Sequence, residues 1–446
     1  MSKQLFGTDG IRGVAGQYPL DPATVFAFGE ALGEDVKANG RGAEVIIGAD
    51  TRESSGWIAA TVAGGLERHG LRARYAGVIT TPGVAWLTRT GPFAAGVMIS
   101  ASHNPYRDNG IKVFSHSGFK LPDEEERAIE TALLRLRSEE TQPRAAELAV
   151  DEALDRQYLE YLRCLAAVRF EGVRLVLDCG NGAASRLGPE LFQGLGAEVA
   201  TVCASPDGRN INLCCGALHP ENLSKAVLER GADFGVAFDG DADRAIFVAK
   251  SGQIVNGDGV LLAAARAWKA AGRLTGDTVV STVMANLGLE RALEREQIRM
   301  IRTPVGDKYV LEEMVRLDAT LGGEQSGHVI FREYATTGDG ILTALKLFEI
   351  AHLAGAGLEE LTAGLNVYPQ KLVNIRVREK KGLLEHPVVA REIRRAEESF
   401  AGSGRVLVRF SGTEPLARVM VEGADAEQVD SFSASIADAI REAMGA

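Results

Sequence analysis

Ser102 stands in a stretch whose residue types could carry out nucleophilic chemistry. The stretch runs from Gly96 to Phe114 (GVMISASHNPYRDNGIKVF), and its Pro, Asn and Gly residues predict a turn directly after an apolar run. Loops at the carboxyl ends of strands form the ligand sites of open α/β sheets. A serine becomes a nucleophile when a base or a metal activates it, and His103 and Lys112 are nearby groups that could position charge. Taken alone, these residues are also typical of a structural turn.

Three aspartates at alternate positions, Asp239, Asp241 and Asp243, follow the apolar run DFGVAF. Carboxylates this close repel one another strongly unless a cation neutralises them. Oxygen ligands suit Mg²⁺, which keeps open positions for a phosphate oxygen. An EF-hand calcium loop is disfavoured because its final ligand position, counted from Asp239, is Lys250 rather than glutamate. The spacing therefore favours a metal site over a solvated acidic turn.

A third segment near the C-terminus, RFSGTEP with an arginine just beyond it, is suited to hold an anion. Its hydroxyls, backbone N–H groups and bidentate guanidinium groups could contact one phosphate. An ordinary turn with a rim arginine is the plain alternative. The candidate anion-binding residues are Arg409, Ser411, Gly412, Thr413 and Arg418.

Three further segments are candidates for ligand contact. In GGEQSGH, Glu324 and Ser326 alternate and could face one sugar, while His328 is either an acid–base group or a structural histidine. The turn from Thr303 to Lys308 (TPVGDK), which includes Gly306, precedes a predicted helix. The N-terminal FGTDGIRG is a glycine-rich loop with Arg12 embedded in it, suited to contact phosphate.

Composition excludes several classes of protein. The chain has 446 residues, 46% of them hydrophobic and 24% charged, which predicts a globular protein of two to four domains. A net charge of -11 disfavours nucleic acid and anionic membranes as partners. The five cysteines match no zinc or disulfide framework, and neither a signal peptide nor a transmembrane segment is evident. We therefore expect a cytoplasmic enzyme with no nucleic-acid or membrane partner.

Strand-like runs alternate with helical periodicity through most of the chain, as in sheets flanked by helices. We predict a strand at Glu44 to Ala49 and a helix at Ser54 to His69, with Ser54 as its N-cap. The pattern restarts twice and then changes to strand, helix, strand, strand and helix. These changes predict domains at residues 1–150, 151–256, 257–367 and 368–446.

Together these segments resemble the α-D-phosphohexomutase family, with the motifs in the family's order from Phe6 to Arg418. The resemblance implies three related mixed α/β domains plus a smaller C-terminal α+β domain around a central cleft. It also implies that Ser102 is phosphorylated, and that the three aspartates and a phosphoserine oxygen hold one Mg²⁺. Arg12, His103, Lys112 and His328 would then support phosphoryl and proton transfer.

The resemblance further implies how substrate is bound. Glu324 and Ser326 would read the sugar hydroxyls or amine, with Thr303 and Gly306 nearby. The arginines, hydroxyls and glycine of the C-terminal segment would grip the phosphate that does not react. FGTDGIRG, GGEQSGH and RFSGTEP resemble the family members that act on glucosamine phosphate.

The implied reaction interconverts glucosamine 6-phosphate and glucosamine 1-phosphate through a phosphoserine and a bisphosphate. The activator or intermediate would be glucosamine 1,6-bisphosphate or glucose 1,6-bisphosphate, and the resemblance permits a homodimer. A phosphomannomutase or phosphoglucomutase, a metal-dependent sugar phosphatase and a catalytically silent phosphosugar-binding protein are the alternatives. Ala242, where glycine is common in relatives, should be tolerated if its backbone has negative φ.

Overall fold

The structure is a computed structural model that describes residues 5–7, 9–139, 141–411 and 415–445. The chain forms two compact units. The main unit comprises residues 1–284 and 298–363, and the C-terminal unit comprises residues 285–297 and 364–446. The second unit therefore takes a segment from the middle of the chain.

The first sheet of the main unit has six strands in the order β1-β2-β6-β5-β3-β4. Strands β3, β4 and β5 are parallel, whereas β6, β2 and β1 pair in antiparallel fashion. The strands are β1 (Phe6–Gly7), β2 (Gly10–Val14), β3 (Glu44–Ala49), β4 (Arg72–Val78), β5 (Ala95–Ile99) and β6 (Asp108–Ser115). The helices are α1 (Pro22–Ala38), α2 (Ser55–Arg68), α3 (Thr81–Thr90) and α4 (Asp123–Ser138).

The second sheet has five strands in the order β11-β10-β9-β7-β8, with β7 parallel to both β8 and β9. Its strands are β7 (Arg174–Asp178), β8 (Glu198–Val202), β9 (Phe234–Phe238), β10 (Ala245–Ala249) and β11 (Ile254–Val255). The associated helices are α5 (Glu152–Cys164), α6 (Ala184–Gly194) and α7 (Pro220–Arg230).

The third sheet has four strands in the order β13-β12-β14-β15, with β12 parallel to β13 and β14. Its strands are β12 (Thr278–Thr282), β13 (Arg299–Thr303), β14 (Leu321–Gly323) and β15 (Val329–Phe331). The helices in this part of the sequence are α8 (Gly257–Ala270), α9 (Leu287–Arg295), α10 (Asp307–Leu317), α11 (Gly340–Ala354) and α12 (Leu358–Leu361). Of these, α9 belongs to the C-terminal unit.

The three sheets share one plan, which confirms the prediction of three related α/β domains. In each, a central strand (β3, β7 or β12) has its successor on one side and the following strand (β5, β9 or β14) on the other, all parallel. The next strand, β6, β10 or β15, then adds antiparallel to the third. Because the connection between the third and fourth strands is short, one tight loop stands at the same position in every sheet.

The C-terminal unit is the predicted small α+β fold. A three-stranded antiparallel sheet has the order β16-β18-β17 and is accompanied by two long helices. The elements are β16 (Gln370–Arg376), α13 (Pro387–Phe400), β17 (Gly404–Phe410), β18 (Leu416–Gly423) and α14 (Ala426–Met444). The amide of Asn286, which caps α9, donates to the Tyr368 carbonyl at 3.0 Å and joins the mid-chain segment to this unit.

Local predictions are largely correct, with one corrected detail. The strand at Glu44–Ala49 is present, and the predicted helix after it is α2. Ser54 precedes α2, but its hydroxyl does not cap the helix and instead accepts a hydrogen bond from the Asn109 amide at 2.8 Å. All five cysteines are free. Within the described residues, none of the helices has the length and apolarity needed to cross a membrane.

Candidate active site

The tight loops between the third and fourth strands of the three sheets carry the candidate catalytic residues. The loop from β5 to β6 holds Ser102, and the loop from β9 to β10 holds the three aspartates. The loop from β14 to β15 holds Glu324 and His328. Direct hydrogen bonds join these loops: the Ser102 hydroxyl donates to Asp239, and the Ala245 N–H donates to the Gly327 carbonyl at 3.1 Å. Related loops from three repeats thus form one site.

Ser102 is buried and held in an unusual backbone conformation. Its φ is 53°, in the left-handed region that non-glycine residues adopt at a cost and that is frequent at functional sites. Its hydroxyl donates to Asp239 Oδ2 at 2.5 Å and lies 3.3 Å from His103 Nδ1. Its N–H donates to Ser100 Oγ at 2.9 Å. The hydroxyl therefore faces the aspartates in a fixed orientation.

A buried arginine, Arg52, holds the carbonyl side of this loop. Its guanidinium donates to the carbonyls of Ser102 (2.9 Å), Asn104 (3.0 Å) and Pro105 (2.6 Å). Its Nε donates to Asp50 Oδ2 at 2.8 Å, and both side chains are buried. Asp50 also accepts a hydrogen bond from the Ser100 hydroxyl, and the oxygen of that hydroxyl accepts one from the Ser102 N–H. One hydrogen-bond network therefore holds both the N–H and the carbonyl of Ser102.

The second sheet supports the same loop from its other side. The Asn212 amide donates to the carbonyls of Ser102 at 2.9 Å and Asn104 at 3.2 Å. Gly240 lies against the Ser102 carbonyl so closely that a Cβ at this position would sit 2.5 Å from the oxygen. A side chain at position 240 would therefore push the aspartate loop away from Ser102.

Asp239, Asp241 and Asp243 converge as a group that suits a metal ion. Each offers a carboxylate oxygen within 4.8 Å of the others, and all three are buried. Among the described residues, Asp241 Oδ1 and Asp243 Oδ1 are buried without a hydrogen-bond partner. Burial, together with the neighbouring Asp243 and Asp241 carboxylates, raises the pKa of Asp239 well above its usual value. Such repulsion is what a divalent cation relieves, so the donor set fits Mg²⁺.

Lys112 supplies positive charge beside these carboxylates. Its Nζ is 2.7 Å from Asp241 Oδ2, 3.2 Å from Asp243 Oδ2 and 3.1 Å from Asp9 Oδ2. Burial lowers the pKa of Lys112, but the three carboxylates outweigh it and raise that pKa well above its usual value. Thr81, at the start of α3, donates to the same Asp241 oxygen at 2.5 Å.

The charges continue outward as a connected series. Asp9 pairs with Arg12 and with Lys120 Nζ at 2.6 Å, and Lys120 in turn pairs with Asp307 at 2.6 Å. Burial raises the pKa of Asp9, yet Lys112, Lys120 and Arg12 outweigh it and hold that pKa well below its usual value. Arg12 thus lies at the edge of the charged site through its ion pair with Asp9, and its contact with phosphate stays a prediction.

The two histidines have opposite electrostatic settings. Burial and the nearby Arg244 and Arg12 charges lower the pKa of His103 to about 4. Arg244 donates to His103 Nδ1 at 3.2 Å, so this nitrogen acts as an acceptor and carries no proton. Ser102 Oγ, whose proton is donated to Asp239, lies 3.3 Å from the same nitrogen. His328 is fully enclosed, and although burial lowers its pKa, Asp307 and Asp243 raise it overall. The Gly338 N–H donates to His328 Nε2 at 2.8 Å, so this ring also has a structural contact.

A cavity of about 550 Å³ opens beside the aspartate loop. Glu324, Ser326, Arg244 and Asn256 are among the residues that line it. Glu324 Oε1 also accepts the Gly306 N–H at 3.2 Å, and Gly306 has a φ of 133° that favours glycine. This volume is large enough for a hexose phosphate, for which small-molecule sites usually offer about 300–1,000 Å³.

Thr303 is placed differently from its predicted partners. It is buried at the end of β13, and its hydroxyl donates to the backbone carbonyls of Pro304 at 3.0 Å and Ser281 at 3.4 Å. It is not among the residues that line the cavity. A substrate contact from Thr303 stays a prediction.

In the C-terminal unit, Arg409 and Arg418 face each other across β17 and β18. Like charges directly opposite on neighbouring strands destabilise a sheet, and burial together with Arg418 lowers the pKa of Arg409. An anion would relieve this repulsion. Ser411 is buried and its N–H donates to the Leu416 carbonyl at 2.8 Å. Gly412 and Thr413 lie outside the described residues.

Comparison with known proteins identifies the family. Models of the phosphoglucomutase/phosphomannomutase family match the chain as α/β/α domains I, II and III at residues 3–140, 156–252 and 256–368, and as the C-terminal domain at residues 372–439. A phosphoglucosamine mutase of Solibacter usitatus (strain Ellin6076) is 71% identical over 445 residues, covering 100% of both chains. The chain belongs to the α-D-phosphohexomutase family. It is therefore an isomerase, an intramolecular phosphotransferase of the phosphosugar mutase type.

Two further members show how far the similarity extends. A phosphoglucosamine mutase of Koribacter versatilis (strain Ellin345) is 53% identical and covers 99% of this chain and 98% of its own. The crystal structure of a phosphoglucomutase/phosphomannomutase family protein from Burkholderia thailandensis has a TM-score of 0.80 at 25% identity. It covers 98% of this chain and 97% of its own.

Several residues of this phosphohexomutase site were not predicted. Arg52 is one of them. It lies in the run Asp-Thr-Arg directly after the central strand β3, and ligand sites form at the carboxyl ends of such strands, so this position was a signal that could have predicted it. Asn212, Lys120 and Arg244 are others, and no local pattern marks Asn212 or Lys120. Ala242 does not meet the condition under which it was expected to be tolerated, because its φ is 55° rather than negative.

Proposed function

We propose that this mutase interconverts glucosamine 6-phosphate and glucosamine 1-phosphate through a phosphorylated Ser102. One observation carries the chemical part: the Ser102 hydroxyl is 2.5 Å from Asp239, within a group of three buried carboxylates neutralised in part by Lys112. The substrate rests on the 71% identity to a phosphoglucosamine mutase and on the carboxylate of Glu324 at the cavity, which could pair with an ammonium group.

Mg²⁺ is the cofactor that we assign to Asp239, Asp241 and Asp243, together with an oxygen of phosphoserine 102. When bound, it supplies positive charge that stabilises the phosphoryl oxygens during transfer. The unpartnered oxygens of Asp241 and Asp243 support this assignment.

The reaction is proposed to run as two balanced half-reactions. In the first, the phosphoryl group leaves Ser102 Oγ for a hydroxyl oxygen of the monophosphate, and the proton of that hydroxyl ends on Ser102 Oγ. The product is a hexosamine 1,6-bisphosphate. In the second, the opposite phosphoryl group returns to Ser102 and the sugar regains a proton. Either this bisphosphate or glucose 1,6-bisphosphate would charge the enzyme.

The protein's own residues position and neutralise charge in this scheme, which is the main task in phosphoryl transfer. Arg52 and Asn212 hold the serine backbone so that Oγ faces the transferred group. We assign Lys112, His103, Arg12 and His328 to the support of phosphoryl and proton transfer, the roles that the family resemblance implies. Burial of Ser102 limits access of water, which would otherwise hydrolyse the phosphoserine.

We assign the non-reacting phosphate to the C-terminal unit. Arg409 and Arg418 are paired on adjacent strands, so their repulsion favours an anion. Ser411, Gly412 and Thr413 would supply further donors. Because this group recognises phosphate rather than sugar, it would accept either phosphate of the bisphosphate.

A coupled assay on glucosamine 6-phosphate, glucose 1-phosphate and mannose 1-phosphate, with Mg²⁺, tests the proposal. We expect the highest kcat/KM for glucosamine 6-phosphate, with no stoichiometric release of inorganic phosphate. A higher kcat/KM for a neutral sugar phosphate would show that the proposed substrate is wrong and would leave the proposed mechanism unchanged. Release of one phosphate per turnover would show a phosphatase instead.

A further inference from the structure

A second group of metal-ligating side chains lies in the second sheet. Asp178 ends β7, Cys203 follows β8, and Cys215 precedes a short turn of helix at residues 216–218. One ligand atom from each lies within 4.8 Å of those of the other two. The three residues are far apart in sequence, and neighbouring strand ends bring them together.

Burial raises the pKa of Asp178, and the Gly180 and Gly216 N–H groups and the nearby His219 offset this only in part. Asp178 is fully buried, and among the ion pairs of the described residues none joins Asp178 to a lysine or arginine. Its two carboxylate oxygens each accept one backbone N–H, from Gly180 and from Gly216, both at 2.9 Å. Each oxygen keeps a second lone pair for another contact.

The two thiols face this carboxylate. Burial and the Asp178 charge raise the pKa of Cys203, and the same two causes raise the pKa of Cys215 far more. A cysteine thiol is ordinarily protonated at neutral pH. A divalent cation reverses this preference, since it stabilises thiolates and neutralises the carboxylate.

We propose that Asp178, Cys203 and Cys215 bind a thiophilic divalent cation of the Zn²⁺ type. Two thiolates and a carboxylate are a donor set that zinc accepts, with the remaining tetrahedral position left for water. Sulfurs bound to one zinc at about 2.3 Å lie roughly 3.8 Å apart, which the 4.8 Å limit allows. Binding replaces two S–H protons with one cation and releases both protons to solvent.

Access and selectivity both follow from the surroundings. Cys215 is buried, whereas Cys203 is partly exposed and would be the side from which a cation enters. The site differs in kind from the three aspartates near Ser102, which offer oxygen alone and suit Mg²⁺. Micromolar zinc should therefore occupy the thiol site while millimolar Mg²⁺ does not.

The site also has a route to the nucleophile loop. Cys215 is three residues from Asn212, whose amide holds the Ser102 carbonyl. A cation that draws Cys215 toward Cys203 would shift this support, so turnover should fall when the site is filled. The expected fall in turnover rests on the proposed function. The test of metal binding described next does not depend on it.

Titration of the reduced full-length protein with Co²⁺ tests the proposal. Co²⁺ bound to thiolates gives a charge-transfer band in the near ultraviolet, which carboxylate ligands do not produce. We expect the thiolate band to saturate at one sulfur-bound Co²⁺ per chain, apart from any Co²⁺ that the three aspartates bind without giving this band. Zn²⁺ should displace this ion, and the band should be lost or greatly weakened in Cys203→Ser and Cys215→Ser. The matched controls Cys164→Ser and Cys214→Ser, both exposed in the structure, should retain it.

Alkylation provides a second measurement that needs no variant. Zn²⁺ should protect the partly exposed Cys203 of the wild-type protein from iodoacetamide, while Cys164 and Cys214 react at unchanged rates, as mapped by mass spectrometry. A wild-type protein that shows neither the thiolate band nor this protection would overturn the proposal. So would a band that keeps its full intensity in Cys203→Ser, or one that disappears in Cys214→Ser.

Discussion

The loops that carry Ser102 and the three aspartates differ from the loop that carries Glu324, although all three occupy the same position in related sheets. The first two are buried against each other and joined by direct hydrogen bonds between charged or polar side chains. The third borders a cavity of about 550 Å³. Under the proposed function, the repeat architecture would separate two tasks: phosphoryl chemistry in the closed pair and sugar recognition at the open loop.

Backbone strain follows a similar division. Each loop contains one residue in the left-handed region, namely Ser102 (φ 53°), Ala242 (φ 55°) and Gly327 (φ 95°). Only glycine adopts this conformation without cost, so the first two loops store strain that the third does not. At position 102 glycine could not replace serine, because the hydroxyl is the proposed nucleophile. Ala242 has no functional side chain, and nothing in the structure explains why glycine does not stand there.

The largest expected effect is loss of the nucleophile. Ser102→Ala should lower kcat by about 10⁴-fold or more, because no other described group occupies its place against Asp239. The variant should also lack the phosphate-bearing peptide in mass spectrometry after incubation with glucose 1,6-bisphosphate. The exposed Ser138→Ala variant is the control and should keep both properties. Turnover near the wild-type level in Ser102→Ala would exclude the closed pair as the catalytic centre.

The second-largest effect is expected on removal of Arg52, which holds the nucleophile loop. Arg52→Met leaves the Asp50 carboxylate buried without its cation, so we expect a loss of about 3–5 kcal/mol in the free energy of unfolding. Where the variant is folded, kcat should fall while KM for the sugar phosphate changes little. Arg52→Lys should restore stability more than kcat, since one ammonium cannot reach three carbonyls. Arg209→Met, on the surface, serves as the comparison in both measurements.

Asp339 allows a test of the support beneath the aspartate loop. It caps α11, and the next N–H, from Gly340, donates to the Ala242 carbonyl at 2.9 Å. Burial raises the pKa of Asp339 to about 6 from an ordinary value of 3.8. The folded state therefore binds this proton more tightly than the unfolded state, and this contribution to stability is lost as the pH rises toward 6 and above.

Asp339→Asn removes the titrating carboxyl and with it this fall in the free energy of unfolding as the pH rises. From pH 5 to pH 7.5, the free energy of unfolding of the variant should rise relative to wild type by about 1.4 kcal/mol. Urea denaturation at the two pH values measures this difference. In the exposed Asp430→Asn control the difference should stay flat across this range. A flat difference for Asp339→Asn as well would mean that this carboxyl is ionised normally in the folded protein.

Changes in the open loop should alter substrate preference rather than turnover. Glu324→Gln and Ser326→Ala are each expected to change the ratio of kcat/KM for glucosamine 6-phosphate over glucose 6-phosphate by about tenfold, the scale of one lost polar contact. Glu333→Gln, beyond β15, provides the control. Equal losses for both sugars would contradict the division of tasks between the loops.

The smallest effect concerns strain. Ala242→Gly and Ala183→Gly each delete a buried methyl group, but Ala183 has a φ of -63° and no strain to lose. Relief of the left-handed conformation should make Ala242→Gly less destabilising than Ala183→Gly by about 1 kcal/mol. Thermal and urea unfolding compare the pair. If both cost the same, the loop conformation at Ala242 is not strained.

The sequence was informative where function depends on neighbouring residues. Ser102 lies in a marked turn and the three aspartates alternate after one strand, so local sequence patterns predicted both as candidates. Arg52 and Asn212 were missed because their partners, the carbonyls of the nucleophile loop, are 50 and 110 residues away. Ala242 likewise has a distant partner that local sequence does not reveal, since the Gly340 N–H, from the third repeat, donates to its carbonyl.

The helix α9 gives the C-terminal unit an unusual covalent relation to the rest of the chain. Because this unit includes residues 285–297 as well as 364–446, the backbone passes between the units three times rather than once. A protease cut near residue 364 would thus not release the unit whole. A truncated chain that ends there would keep α9 but lose its packing partner, so engineered fragments of this enzyme should be designed as insertions or permutations rather than as simple C-terminal deletions.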